Sequence, residues 1–274
     1  MTATPADPSD AAAQPPAGAP ARTPVIVRGA VIGGARPATV VPLTGATAEA
    51  LLAEAGPLVA AAPDVVEWRV DHLADGAPTP EHVVDAGRAL VAALGGLPLL
   101  VTVRTAAEGG RAAVDDAAYE ALQAAALDAG LADLLDVEVG RDPAVVDRLV
   151  ARAHAAGVPV VGSSHDFAGT PPLDAIVDRL LGMAAAGADV LKIAVMPHDP
   201  GDVLTLLAAT WAASTRTDRP VITMAMGGLG VASRLAGGTF GSAATFGTVG
   251  APSAPGQVEL GALRAALDLV HPAG

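Results

Sequence analysis

The sequence predicts an α/β fold, a (β/α)8 TIM barrel with a short N-terminal β-hairpin. Short β-branched apolar runs alternate with Ala/Leu-rich stretches of helical length, which implies βαβ units and a parallel sheet. The alternation recurs eight times in about 235 residues, the size expected of such a barrel. Successive strand-like runs also place charged residues at every second position, as strands do when one face turns toward a shared interior. A doubly wound open sheet is the alternative arrangement of the same units.

Residues 1–22 are rich in Ala and Pro, with no basic start and no leucine-rich core, so they predict a disordered tail and not a signal peptide. Residues 25–32 predict an extra hairpin that closes the barrel floor. The first strand, 38–43, centres on Val40-Val41 and leads into a helix at 48–61. The second, 65–70, alternates Val66, Trp68 and Val70 with Glu67 and Arg69. Its helix, 80–94, opens on Pro80 and Glu81, proline being preorganised for a first helical turn. A strand at 97–103 and a helix at 115–130 follow, then a strand at 134–139 and a helix at 143–156 announced by Asp142-Pro143. The fifth unit joins a strand at 158–164 to a helix at 172–186, entered through Pro171-Pro172 and Asp174. The last three units are strands at 189–195, 220–224 and 239–246 with helices at 201–214, 230–236 and 258–270. The uncharged run 235–258 is long enough to suggest a membrane span, but six glycines and two prolines assign it to loop and strand. Residues 23–274 are therefore expected to form a single barrel domain, with no second domain fused after the eighth helix.

Composition narrows the function. The 274 residues hold 16 Lys+Arg against 29 Asp+Glu, a formal net charge of −13, which argues against nucleic acid and anionic membrane surfaces as partners. There is no cysteine, hence no disulfide framework and no thiolate chemistry; a reducing cytosol suits the chain. Hydrophobic residues make up 51% and aromatics 2%, so the core must be Ala/Val/Leu packing. Only one of the basic residues, Lys192, is a lysine. Arginine-favouring composition accounts for the absence of other lysines, not for the retention of this one inside a strand.

The strand faces show where the chemistry collects. Glu67, Arg69 and Asp71 share a face in the second unit, Thr102 and Arg104 in the third, Asp136 and Glu138 in the fourth; His165 ends the fifth strand and Lys192 lies within the sixth. In a barrel these positions converge toward the C-terminal rim, where active sites are built. Lys192, flanked by Leu191 and Ile193, either snorkels out, pairs with Asp136 or Glu138, or is buried, and burial penalises the charged form of an amine. A neutral amine is what imine formation with a carbonyl requires. His165 is either a structural strand-end histidine or the proton shuttle that imine chemistry needs, and Glu108 either orients that imidazole or is a solvated loop carboxylate. His72, His82, His154, His198 and His271 lack metal-site spacing and are assigned to the surface; no metal is expected. Gly228-Leu-Gly230-Val-Ala-Ser233 lacks the third glycine and the downstream acid of a dinucleotide fingerprint and is rejected as one. Met224 and Met226 are core filler or pliable walls beside a substrate ring.

With these residues assembled, the chain resembles the type I (class I, Schiff-base) 3-dehydroquinate dehydratase family over about residues 24–272. The segments that carry the likeness occur in order: Glu67-Trp-Arg-Val-Asp71, Thr102-Val-Arg-Thr105 with Glu108-Gly-Gly110, Ser164-His-Asp-Phe167, Leu191-Lys-Ile193, Met226-Gly-Gly-Leu-Gly-Val-Ala-Ser-Arg234, Phe240-Gly-Ser242 and Ser253-Ala-Pro-Gly-Gln257. The resemblance implies that Lys192 forms an imine with the C3 ketone of 3-dehydroquinate, that His165 moves the protons of a syn elimination, and that Glu108 orients His165. It implies that Arg234 binds the substrate carboxylate, that Glu67, Arg69 and Arg104 bind ring hydroxyls, and that Met224, Met226 and Phe246 form apolar walls. Ser253 and Gln257 belong to a loop expected to close over the substrate. No metal or dissociable cofactor is implied, and the enzyme is expected to be a cytoplasmic homodimer of the shikimate pathway. Strand polarity and Lys192 alone leave a class I aldolase equally open, and a carboxylate-binding paralogue without catalysis is a further alternative; the motif set favours the dehydratase.

Overall fold

The computed structural model describes residues 20–250 and 253–272, so the predicted tail lies outside the described residues as far as position 19. The hairpin comes first, β1 (Val25–Val27) antiparallel to β2 (Ala30–Ile32). Its two-residue turn places Arg28 at φ 44° and Gly29 at φ 87°, the left-handed pair that lets two twisted strands meet without splaying. Eight parallel strands follow: β3 (Ala38–Leu43), β4 (Val65–Arg69), β5 (Leu99–Thr102), β6 (Leu134–Glu138), β7 (Val160–Asp166), β8 (Val190–Val195), β9 (Val221–Ala225) and β10 (Ala244–Thr248). Each pairs with the next as far as β9, and β10 returns to pair with β3. The seam between β9 and β10 is closed by a single bridge, with the Ala243 N–H donating to the Val221 carbonyl at 2.7 Å. A two-residue strand, β11 (Val258–Glu259), extends the sheet beside β10.

The helices are α1 (Ala48–Ala61), α2 (Pro80–Ala93), α3 (Asp116–Asp128), α4 (Pro143–Ala155), α5 (Leu173–Ala185), α6 (Pro200–Ser214), α7 (Val231–Ala236) and α8 (Leu260–Val270). Thr47, Thr79, Asp115, Asp142, Asp199 and Glu259 cap the helices that follow them, each side chain accepting a first-turn backbone N–H that has no intrahelical partner. Among the described residues no helix is long and apolar enough to cross a membrane. The outward strand faces, including Val66, Trp68, Val101 and Val137, pack on Leu51, Leu58, Leu90, Leu122 and Leu149 of the helices. The predicted pattern of units is therefore the observed one, with shifted edges. β5 begins later than expected because Pro98 has no N–H to give a ladder, and it ends at Thr102 because the chain then turns, with the Arg104 N–H donated to Asp71. The run from 239 does not start a strand; residues 237–240 form a 3-10 turn that ends at Gly241, with φ 102°, before β10 begins.

Inside the barrel, alternate residues stack in layers. Val40, Val65, Leu100, Leu134, Val161, Val190, Ile222 and Ala244 form an apolar floor with Val27 and Ile32 of the hairpin. Two residues on along each strand, toward its C-terminal end, come Glu67, Thr102, Asp136, Ser163, Lys192, Met224 and Phe246. A further step reaches Arg69, Arg104, Glu138, His165 and Met226 at the rim. The floor is hydrocarbon, and the ionisable groups begin above it.

Candidate active site

Lys192, at the middle of β8, is 3% exposed. Its Nζ donates to Asp136 at 3.1 Å and to Glu67 at 3.3 Å, and stands 4.7 Å from the centre of the Phe246 ring. The lysine does not snorkel, and its partners are Asp136 and Glu67; Glu138 is engaged elsewhere. Glu67 also accepts from Thr102 Oγ1 at 3.0 Å.

Arg104, at the end of β5, is turned inward. Its Nη2 donates to Asp136 at 2.7 Å, and its Nη1 donates to Glu138 at 2.9 Å, Ser163 at 3.0 Å and Glu108 at 3.2 Å. Burial alone would lower its pKa, but the facing Asp136, Glu138 and Glu108 outweigh burial and hold the guanidinium above its ordinary range. Asp136 is the converse case: burial raises its pKa, Arg104 and Lys192 outweigh that, and it stays ionised below the usual carboxylate range. Arg69 forms a two-pronged pair with Asp71 at 2.7 and 2.8 Å. Asp71 also accepts the backbone N–H groups of Arg104, at 3.3 Å, and Arg111, at 3.0 Å, and so pins both ends of the turn between them.

That turn carries Glu108. Its Oε2 lies 2.8 Å from His165 Nδ1 and accepts the His165 backbone N–H at 3.1 Å. Burial pushes the Glu108 carboxyl up to about 8; Arg104 opposes the rise, while Glu138 and Asp136 add to it. His165 is held well below its ordinary pKa, first by burial and then by the positive charges of Arg104, Lys192 and Arg69. With Nδ1 committed to Glu108, Nε2 is the nitrogen left for chemistry. His165 lies within β7, not beyond its end, and this sets its ring on the inward face two residues from Ser163.

The opposite wall holds Arg234, on α7 and 2% exposed. Its Nη2 donates to the Pro255 carbonyl at 3.3 Å, its Nη1 to the Phe246 carbonyl at 3.5 Å, and its buried Nε has no partner. Among the described residues no carboxylate pairs with it. Burial lowers its pKa to about 10, which leaves it cationic at neutral pH. A buried cation that faces a cavity without an anion suits a carboxylate ligand, and guanidinium can hold one by two parallel bonds. Met224, Met226, Phe246 and Ala194 supply apolar surface between Arg234 and Lys192. Ser253 and Gln257 bond to each other, Ser253 N–H to Gln257 Oε1 at 2.8 Å, and both line the cavity.

The twelve residues to which the resemblance gives catalytic or substrate-binding roles thus line one cavity, with Asp71, Thr102, Asp136 and Glu138 behind them. Ser163 carries no signal in the sequence beyond its inward parity on β7, and Thr105 and Phe167 enter only as members of the segments that carry the resemblance, without a role. Thr105 Oγ1 and N–H both donate to Glu138, at 2.7 and 2.8 Å. Phe167 packs on Gly109 beside Glu108. Of the remaining histidines, His72 and His271 are only partly exposed, not surface residues in full; His72 sits 3.8 Å from Asp71.

A family model of type I 3-dehydroquinase matches residues 39–273. A 3-dehydroquinate dehydratase of Lactiplantibacillus plantarum is 49% identical over 242 residues, 88% of this chain and 96% of that protein. One from Klebsiella pneumoniae is 48% identical over 231 residues, 84% of this chain and 92% of the relative. The crystal structure of a type I 3-dehydroquinate dehydratase from Clostridium difficile, with covalently modified comenic acid, superposes with a TM-score of 0.87 at 41% identity, covering 91% of this chain and 98% of that one.

Proposed function

The chain belongs to the type I 3-dehydroquinase family, and on that premise we propose that its cavity dehydrates 3-dehydroquinate through an imine on Lys192. The activity is that of a 3-dehydroquinate dehydratase, a hydro-lyase of the shikimate pathway. The observation that carries the reading is the meeting, in one cavity, of a lone lysine, a histidine–carboxylate pair and an arginine that no carboxylate pairs with among the described residues.

In the proposed course, Arg234 holds the substrate carboxylate while Lys192 Nζ, in its neutral form, adds to the C3 carbonyl carbon. The carbinolamine takes up one proton, relayed by His165, loses its oxygen as water and becomes a protonated imine, an electron sink that acidifies the C2 hydrogen. His165 Nε2 takes that proton, and the C2 electron pair moves into an enamine. The enamine then expels the C1 hydroxyl, which leaves as water with the proton that His165 has just gained. One imidazole serving both positions requires that proton and hydroxyl leave from the same face, hence a syn elimination. Hydrolysis of the imine returns Lys192. Glu108 keeps the imidazole oriented through Nδ1, and Glu67, Arg69 and Arg104 face the ring hydroxyls and balance charge around them. Ser253 and Gln257 lie where a loop can exclude water from a reactive imine. No metal or cofactor enters any step. Cytoplasmic residence and a homodimeric state are proposed on the family resemblance alone.

Borohydride reduction in the presence of 3-dehydroquinate, followed by peptide mass spectrometry, tests the route. A reduced substrate adduct on Lys192 is the expected result. An active enzyme that yields no adduct on that residue overturns the imine mechanism.

A further inference from the structure

α3 lies behind the sheet, yet two of its side chains reach the backbone of β6. Tyr119, the chain's only tyrosine, is fully buried, and its phenol oxygen accepts the Glu138 backbone N–H at 2.9 Å and a Gln123 Nε2–H at 3.1 Å. Gln123 Nε2 also donates to the Asp136 carbonyl at 2.7 Å. The cause is topological. β5 pairs with β6 only as far as Thr102 opposite Asp136, and then turns into the segment that carries Glu108. Beyond that point the β6 edge has lost its strand partner inside the protein, where unpaired backbone groups are costly. Tyr119 and Gln123 take the place of the departed strand.

The two residues whose backbone they hold are those whose carboxylates organise the cavity. Asp136 accepts from Lys192, Arg104 and Ser163, the last at 2.6 Å. Glu138 accepts from Arg104 and from both donors of Thr105, where the Glu108 segment begins. Gln123 meanwhile leaves its own Oε1 buried without a partner, a cost that a purely stabilising contact would avoid. We propose that Tyr119, acting with Gln123, is a positioning residue for the dehydration: by fixing the β6 backbone at residues 136 and 138 it sets Lys192 and the Glu108–His165 pair at their working separation. This rests on the imine reading above, with Tyr119 touching neither substrate nor reacting atoms.

Tyr119→Phe tests it, because the ring, its packing and the Arg141 guanidinium 4.9 Å from its centroid are kept while the hydroxyl is removed. The expected result is a fall in kcat of about ten- to a hundredfold with KM within about twofold, the scale of a sub-ångström misplacement of reacting groups. The pH dependence of kcat/KM should also move, since Glu138 faces both the Thr105 backbone and the Glu108 environment. Gln123→Met should act in the same direction, and the double variant should lose less than the product of the two single losses, as parts of one unit do. An unchanged kcat and pH profile in Tyr119→Phe overturns the proposal, as do multiplicative losses in the double variant or a loss that merely tracks the folded fraction by circular dichroism. Wild-type protein trapped at Lys192 alongside an unaffected Tyr119→Phe would overturn this proposal and leave the imine reading standing.

Discussion

His165 and Glu108 share a 2.8 Å hydrogen bond, so their protons cannot be assigned independently. The base the reaction needs is one particular state of the pair: Glu108 ionised and accepting Nδ1–H, with Nε2 bare. Burial pushes Glu108 up to about 8, so below that pH the pair holds one proton too many. kcat/KM is therefore expected to rise with pH through about 8 and then level off, and in Glu108→Gln the rising limb should vanish along with most of the rate. A wild-type profile that is flat between about pH 6.5 and 9 would show that Glu108 is ionised throughout. Lys192 and His165 were legible in the sequence because an ionisable residue in an apolar strand is an anomaly that needs a reason. The network around Arg104 was not: Ser163, within β7, and Thr105, beyond β5, are ordinary small polar residues, and no spacing rule says that one guanidinium will meet four acceptors. Sequence also left Lys192 between Asp136 and Glu138 as partners. The choice of Asp136 and Glu67 depends on which layer of the barrel each occupies, and that follows from strand stagger, which the pattern of residue types does not reveal.

Among the elements, the turn from Arg104 to Arg111 has the most direct hold on the chemistry. Asp71 ties down its two ends, Glu138 grips Thr105, and Glu108 projects from its middle. Its compactness depends on two glycines. Gly109 adopts φ 79° and leaves room for the Phe167 ring, while a Cβ on Gly110 would overlap the Arg104 carbonyl oxygen. Gly110→Ala should thus push against the Arg104 end of the turn and displace Glu108 with it: kcat is expected to drop by about tenfold or more while thermal unfolding remains a single cooperative transition. Full activity in that variant would mean that the turn can give way without moving Glu108. The strands and helices themselves were readable from alternation and from capping signals such as Asp142-Pro143, and all eight units fall where that pattern places them. Departures concentrate where glycine dominates, as in the 3-10 turn at 237–240, because glycine carries neither strand nor helix preference and leaves contacts elsewhere to decide.

At the scale of the whole molecule, a protein with a formal net charge of −13 must admit an anion to a cavity whose unmatched charge is positive. The two fields act over different ranges. Repulsion from the overall charge is long-ranged and passes through water, where salt screens it over about 30 Å at 0.01 M and about 8 Å at 0.15 M. Attraction to Arg234 acts inside the cavity, where screening reaches weakly. Raising the ionic strength from about 0.01 to 0.15 M should then remove more repulsion than attraction and increase kcat/KM for 3-dehydroquinate by about two- to fivefold, the reverse of the usual response of an enzyme that binds an anion. Arg234→Met should keep the same salt trend on a much lower kcat/KM, because the long-range field is unchanged while the local anchor is gone. A wild-type kcat/KM that falls with added chloride would mean that the basic cavity, and not the acidic surface, governs the approach of substrate.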